Sequence, residues 1–256
     1  SINKLTKVNA LSDFGISVMR YDKKHDIIFL AYTNANIDII DKEGNVTNLS
    51  DIKNKNILAD KTINDVCFID NLVYVCCGFG IVVINLDKME VKDTYIIGEN
   101  SSYLSINDIA LYNDKLYAAT SEGVYYADYK NNNLADFSQW TRDDSMIHNN
   151  LNYSEIEVFN GKIYANYSEN KYNKDTLFVY ENGRWDYSKK VGNAIKRDIR
   201  AYDDRLVITE HYSVKAINKD NNNILHFNQD VEPFAAIYDN VSDIYWIGDK
   251  NNSLIK

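Results

Sequence analysis

Ile63-Asn64-Asp65-Val66-Cys67-Phe68 and Ile106-Asn107-Asp108-Ile109-Ala110-Leu111 are two copies of one pattern, 43 residues apart. Eleven residues after each leading isoleucine stands a tyrosine, Tyr74 or Tyr117. Seventeen after it stands a glycine, Gly80 or Gly123, followed by Ile81-Val82-Val83 or Val124-Tyr125-Tyr126. Apolar residues recur with period two and are cut by Asn, Asp and Gly, which accept the positive φ of tight turns. Each copy therefore reads as a strand, an Asp-Asn or Asn-Asp turn, a second strand, a glycine turn and a third strand.

The frame extends outward in both directions. Tyr153 to Val158 leads through Asn160-Gly161 to Tyr164, and Ala201-Tyr202 leads through Asp203-Asp204 to Val207. Ile16 to Tyr21 leads through Lys23-Lys24-His25-Asp26 to Ile28-Phe29, and Ile237-Tyr238 through Asp239-Asn240 to Tyr245-Trp246. Taking Phe29, Tyr74, Tyr117, Tyr164, Val207 and Tyr245 as equivalent gives steps of 45, 43, 47, 43 and 38 residues. A four-stranded propeller blade has this period, and helices of ten or more residues do not fit between the turns. Each blade is a small sheet with two apolar faces, which only neighbouring blades can bury.

The fold class that follows is all-β, a β-propeller of four-stranded antiparallel blades. Five full blades are expected, with partial blades at both ends: residues 2–8 as one outer strand, residues 234–256 as the three inner strands of a last blade. The N-terminal strand then completes the last blade in a six-membered closed ring, or the chain is an incomplete seven-bladed ring; the reading favours a seven-bladed parent. Residues 1–256 are read as a single propeller domain excised from a larger multi-propeller protein. Trp140, Trp185 and Trp246 read as packing residues between blades.

Composition narrows function. Among 256 residues there are 20 tyrosines and a single proline, Pro233, so the turns are made by other residues. With 37 acidic against 28 basic residues the net charge is -9, and no basic run offers a phosphate-binding face, so nucleic acid is not an expected partner. No apolar stretch approaches the length of a membrane span. The chain starts at Ser1 rather than methionine, so the lack of a targeting segment carries no information. Of the three cysteines, Cys67 and Cys77 fall on strands of one hairpin, where a disulfide is conceivable, but small buried residues are the simpler reading.

Chemistry is sparse. His25, His148, His211 and His226 lie at different points of different repeats, without metal-ligand spacing, and read as turn or rim residues. There is no nucleophile elbow, zinc-protease motif or P-loop, and Gly78-Phe79-Gly80 is only a glycine pair at a turn. Asp41 to Asn45 lacks the alternating calcium-loop pattern and reads as a hairpin. Asp65 and Asp108 hold matching positions near the inner strands, as carboxylates do in propeller glycosidases. Asn-Asp pairs capping the turn into the inner strand are the plainer account. No catalytic residue, metal site or cofactor is expected. If a ligand binds, loops gathered at the channel mouth supply Asn34, Asn36, Asn64, Asp65, Phe79, Asn107, Asp108, Glu122 and Tyr212, a set of amides with an aromatic that suits a sugar or peptide.

Several runs go beyond a generic propeller: Ala31 to Ile40, Asn48 to Lys53, Phe79 to Val83, Val91 to Gly98, Tyr117 to Thr120, and Asn133 to Phe137 before Trp140. Over residues 11–140 the chain closely resembles the N-terminal propeller of the PorZ-like proteins, components of the type IX secretion system of Bacteroidetes. That resemblance implies a larger parent with two propellers and a small C-terminal domain, held at the cell surface. It further implies a non-enzymatic role beside a PorU-like sortase, and contact with anionic lipopolysaccharide. Two other readings remain: the periplasmic ligand-sensing propeller of a hybrid two-component receptor, and a polysaccharide-cleaving propeller enzyme.

Overall fold

The computed structural model describes residues 5–130, 133–169, 171–188 and 191–256. Twenty-three strands form six antiparallel sheets among these residues, and within each sheet every strand is hydrogen-bonded to the next in sequence. The first sheet holds β1 (Ile16–Asp22), β2 (Ile27–Tyr32), β3 (Ile37–Ile40) and β4 (Val46–Leu49). The second holds β5 (Ile63–Ile69), β6 (Leu72–Cys77), β7 (Gly80–Asn85) and β8 (Glu90–Tyr95), and the third β9 (Ile106–Tyr112), β10 (Lys115–Thr120), β11 (Gly123–Asp128) and β12 (Thr141–Arg142). The fourth holds β13 (Tyr153–Phe159), β14 (Lys162–Tyr167), β15 (Thr176–Glu181) and β16 (Arg184–Tyr187). The fifth holds β17 (Lys196–Ala201), β18 (Arg205–Glu210), β19 (Ser213–Asn218) and β20 (Asn223–Phe227). The sixth has only three strands, β21 (Pro233–Asp239), β22 (Ile244–Asp249) and β23 (Ser253–Ile255). This is the blade series of a β-propeller, at the repeat positions expected.

The turn residues behave as their chemistry dictates. Asn113 and Asp114 (φ 49° and 60°) and Asn160 and Gly161 (φ 50° and 68°) place two successive residues at positive φ, the geometry of a two-residue hairpin that matches strand twist. The repeated glycine has a different reason. A β-carbon on Gly80 would lie 2.3 Å from the Tyr95 carbonyl oxygen, and one on Gly123 would lie 2.2 Å from that of Asn149. Backbone crosses there so closely that only glycine fits.

The chain divides into two compact units, residues 1–109 with 127–141, and residues 110–126 with 142–256. In the first unit, Phe29, Ala31, Ile37 and Ile39 of the first blade pack with Ile63, Val73, Val75, Val82 and Ile84 of the second. In the second unit, Tyr117, Ala119 and Val124 meet Tyr153, Ile163, Ala165 and Phe178, and the pattern continues through Leu206 and Ile208 to Val214, Ala216, Ala236 and Ile247. Each such Val, Leu, Ile or Phe side chain, fully buried, contributes roughly 1.5–3 kcal/mol. Burial between blades holds the repeat together.

One expectation is corrected. The outer strand expected at residues 2–8 is absent from 5–8, while residues 1–4 lie outside the described residues. Instead the amides of Asn9, Ala10 and Leu11 all donate to the Thr6 carbonyl (3.1, 2.9 and 2.9 Å), and the Asn9 side chain accepts from the Thr6 amide at 2.6 Å. A capped turn has taken the place of the strand. Of the tryptophans, Trp185 sits in the core shared by the third and fourth blades, its indole donating to Asp143 (2.9 Å). Trp140 is buried and donates to the Leu134 carbonyl (2.9 Å), whereas Trp246 is only half-buried, with the Lys256 ammonium 5.7 Å from its ring.

Candidate functional site

The first strands of five blades carry a one-residue register shift near their start: at Ser17, Asn64, Ser154, Arg197 and Phe234. Such a bulge kinks the strand and re-aims the extra side chain. The Asn-Asp pairs therefore lie inside strands rather than capping a turn, which corrects the sequence reading. Asn64 is the bulged residue of β5, and its amide donates across to the next blade, to the Ile106 carbonyl (2.7 Å) and the Ser105 hydroxyl (3.4 Å). Asp65 follows the bulge of β5 and accepts from the Val66 amide (2.6 Å), and Asp108 in β9 accepts likewise from the Ile109 amide (2.7 Å).

Asp65 is gripped by Arg20 of β1, with the Arg20 Nε donating at 2.8 Å and its terminal nitrogen paired with the second carboxylate oxygen. Asp65 and Asp108 each place a carboxylate oxygen within 4.8 Å of the other. That approaches the spacing of a glycosidase pair, but both oxygens of Asp65 are engaged by Arg20. The arrangement is an inter-blade clamp.

Asn34 and Asn36 also serve a network of the first unit. Asn34 donates to Asp13 (2.6 Å) and accepts from the Asn36 amide (3.1 Å), and Asn36 donates to Asp13 at 3.4 Å. Lys53 (2.8 Å) and Lys7 (3.1 Å) complete the shell of Asp13. Hydrogen bonds from Lys53, Asn34 and Lys7 hold that carboxyl well below the usual carboxylate range. Next to it, burial alone would raise the fully buried Asp38, yet bonds from Ser12 (2.8 Å), Tyr32 (2.6 Å) and Asn48 (2.9 Å) outweigh burial and lower it.

The remaining expected residues separate by exposure. Phe79 is fully buried, its ring 6.4 Å from that of Tyr103, so it cannot meet a ligand and drops out of the candidate set. Asn107 is half-buried in β9, and Glu122 is exposed at the turn between β10 and β11. Tyr212 is 53% exposed at the turn between β18 and β19, with the His211 ring edge-on at 4.2 Å. Within the first unit the structure brings Asn34 together with Asn36, and Asp65 with Asp108.

The sequence reading missed a buried polar cluster in the second unit. Asp175 accepts from Asn166 (2.8 Å), Ser168 (2.7 Å) and the Lys196 amide (2.9 Å), and Glu210 accepts from Lys215 (2.8 Å) and Ser213 (2.6 Å). Burial pushes the Lys196 ammonium down to about 8, against the pull of Glu210 and Asp175. Its Nζ donates to the carbonyls of Gly192 (2.8 Å) and Ala194 (2.9 Å). These residues are scattered over 50 positions of sequence, and no local pattern announces them.

The cysteines are free. Cys67 pairs in register with Tyr74 and Cys77 with Ile63, so the two thiols sit at different levels of the hairpin. Burial raises the thiols of both Cys76 and Cys77.

Repeated bulges, inter-blade clamps and exposed turns on rigid strands define a β-propeller with its variable chemistry in the turns. The family model for the N-terminal β-propeller domain of PorZ, of the type IX secretion system, matches residues 1–141, more than half of the chain. The chain belongs to that family. No curated protein matches it. Among solved structures, PorZ, an essential bacterial surface component of the type IX secretion system of Porphyromonas gingivalis, superposes with a TM-score of 0.74 at 21% identity, over 95% of this chain and 31% of that one. The extracellular domain of the putative hybrid two-component system BT3049 of B. thetaiotaomicron gives 0.66 at 13% identity, over 98% and 34%. That of BT4673 gives 0.65 at 14%, over 94% and 31%. At these identities the likeness is one of fold, and the chain spans about a third of each of those proteins.

Proposed function

We propose that this propeller is a non-enzymatic binding and scaffold module of a PorZ-like component of the type IX secretion system. In this reading it works outside the cytoplasm, at the cell surface, and contacts protein partners and anionic lipopolysaccharide. The observation that carries it is the family match over residues 1–141. The engagement of Asp65 by Arg20 supports a role without catalysis. No helix among the described residues is long and apolar enough to cross a membrane.

The test is capture of a purified PorU-like sortase on the immobilised chain, with co-sedimentation of anionic lipopolysaccharide alongside. Saturable binding of the sortase supports the reading, and no binding of either overturns it. A second reading, a ligand-sensing propeller of a hybrid two-component receptor, draws on the likeness to the BT3049 and BT4673 domains. A transmembrane helix and histidine kinase in the full-length gene product would decide for it.

A further inference from the structure

We propose that a line of rings in the second unit, running from the exposed Tyr172 and Tyr212 through the half-buried His211 to the exposed Phe234, is a docking platform for an uncharged stretch of saccharide. The inference rests on the binding-module reading above and deepens it. Tyr172, Tyr212 and Phe234 are 66%, 53% and 56% exposed. Tyr172 lies 6.5 Å from Tyr212, ring to ring, and Tyr212 lies 4.2 Å from His211. The Arg197 guanidinium joins the two halves, 2.7 Å from the His211 Nδ1 and 4.9 Å above the Phe234 ring. Contact restrains each ring already, so little side-chain freedom remains to be lost when a ligand covers it.

The charges of the patch are spent within it. Arg197 donates to the Pro233 carbonyl (2.9 Å) and to Glu232 (3.2 Å), and Lys250 donates to both oxygens of Glu232 (3.1 Å each). Bonds from Lys250 and Arg197 hold the Glu232 carboxyl below its ordinary value. A charged ligand would have to compete with these pairs, and nothing in the line offers it an unmatched partner. Sugar rings fit better, since they carry apolar C–H faces for the aromatic rings and hydroxyls for the polar rim. Mostly apolar contact with a few placed polar groups is the usual recipe of a small-molecule site. A protein hot spot, the competing use of Tyr and Arg, would lean on a guanidinium able to pair across the interface. Here the guanidinium is committed at home.

The deciding experiment titrates the chain with maltohexaose, cellohexaose, mannohexaose, chitohexaose and hexagalacturonate by calorimetry. At least one neutral glycan is expected to bind, with affinity falling about tenfold or more in Tyr212→Ala and Phe234→Ala and kept in Tyr212→Phe. Circular dichroism and melting confirm that these surface variants fold. The proposal is overturned if no neutral glycan binds, if only hexagalacturonate binds, or if the alanine variants bind as well as wild type. It is also overturned if those variants lose sortase capture while no glycan binds. Sortase capture by wild type without glycan binding would leave the scaffold reading intact and remove the platform alone.

Discussion

The Asn64 side-chain amide donates at 2.7 Å to the carbonyl of Ile106, the residue that opens the first strand of the next blade. The same relation recurs in the second unit, where Arg197 donates at 2.9 Å to the carbonyl of Pro233, the first residue of β21. In both places a bulged residue reaches sideways and fastens its blade to the one that follows. Asn64→Ala is expected to cost about 1 kcal/mol of stability, read as a lower urea midpoint with an unchanged slope. Asn64→Asp, which turns a donor into an acceptor facing that carbonyl, is expected to cost more. Equal midpoints for wild type and both variants would show that the staple carries no stability.

Gly80→Ala places its β-carbon 2.3 Å from the Tyr95 carbonyl oxygen, at a φ of 148°. Backbone on both sides must move, and the expected loss is roughly 3 kcal/mol or more, seen as poor yield or a melting point lowered by many degrees. Gly248→Ala is the control. Its nearest neighbour would be 3.8 Å away, and it should melt close to wild type.

Lys196 makes stability pH-dependent in an unusual direction. Its folded pKa, pushed down to about 8 by burial, lies below the value near 10.5 of the unfolded chain. Between those values the unfolded state binds more protons, so stability rises with pH by roughly 1.5 kcal/mol from about pH 8 to 9.5. Above about pH 10 the sign reverses. Burial raises the tyrosines Tyr74 and Tyr153 in the folded state, so the unfolded chain ionises first and stability falls. Urea titrations from pH 7 to 10.5 should show a maximum between these limits, and Lys196→Met should abolish the rising limb. A monotonic fall from pH 7 would refute the assignment.

Thiol accessibility separates the cysteines. Cys76 and Cys77 are buried in β6 and Cys67 is half-buried in β5. Under native conditions Ellman's reagent is expected to label at most one thiol quickly, and all three after denaturation. Two fast thiols would mean that the second blade opens readily.

The repeat was legible because strand alternation and turn chemistry are local. Asn113-Asp114 and Asn160-Gly161 declare their hairpins, and Gly80 and Gly123 mark the crossing of two backbones. The bulges were not legible, since one extra residue shifts register without altering composition. Asn64-Asp65 therefore reads as a turn cap from sequence, although both residues lie inside β5. Phe79 reads from sequence as one of the loop residues at the channel mouth, yet it is fully buried and Tyr103, from the segment leading into the third blade, packs against it. At the N-terminus, Thr6 and Asn9 close a local side-chain bond that competes with strand pairing. Of the expected site residues, Tyr212 was found as a turn residue. Its companions Tyr172, Arg197 and Phe234 come from three other segments that only the fold brings together.

The central claim, a scaffold module of the secretion machinery rather than a sensor or an enzyme, is tested most directly by cross-linking the native full-length protein in intact cells. Mass spectrometry then identifies what is joined to residues 1–256. The account predicts cross-links to a sortase-type subunit and other outer-membrane components of the type IX system. Recovery of an inner-membrane histidine kinase on the same polypeptide, with no secretion subunit attached, would contradict it.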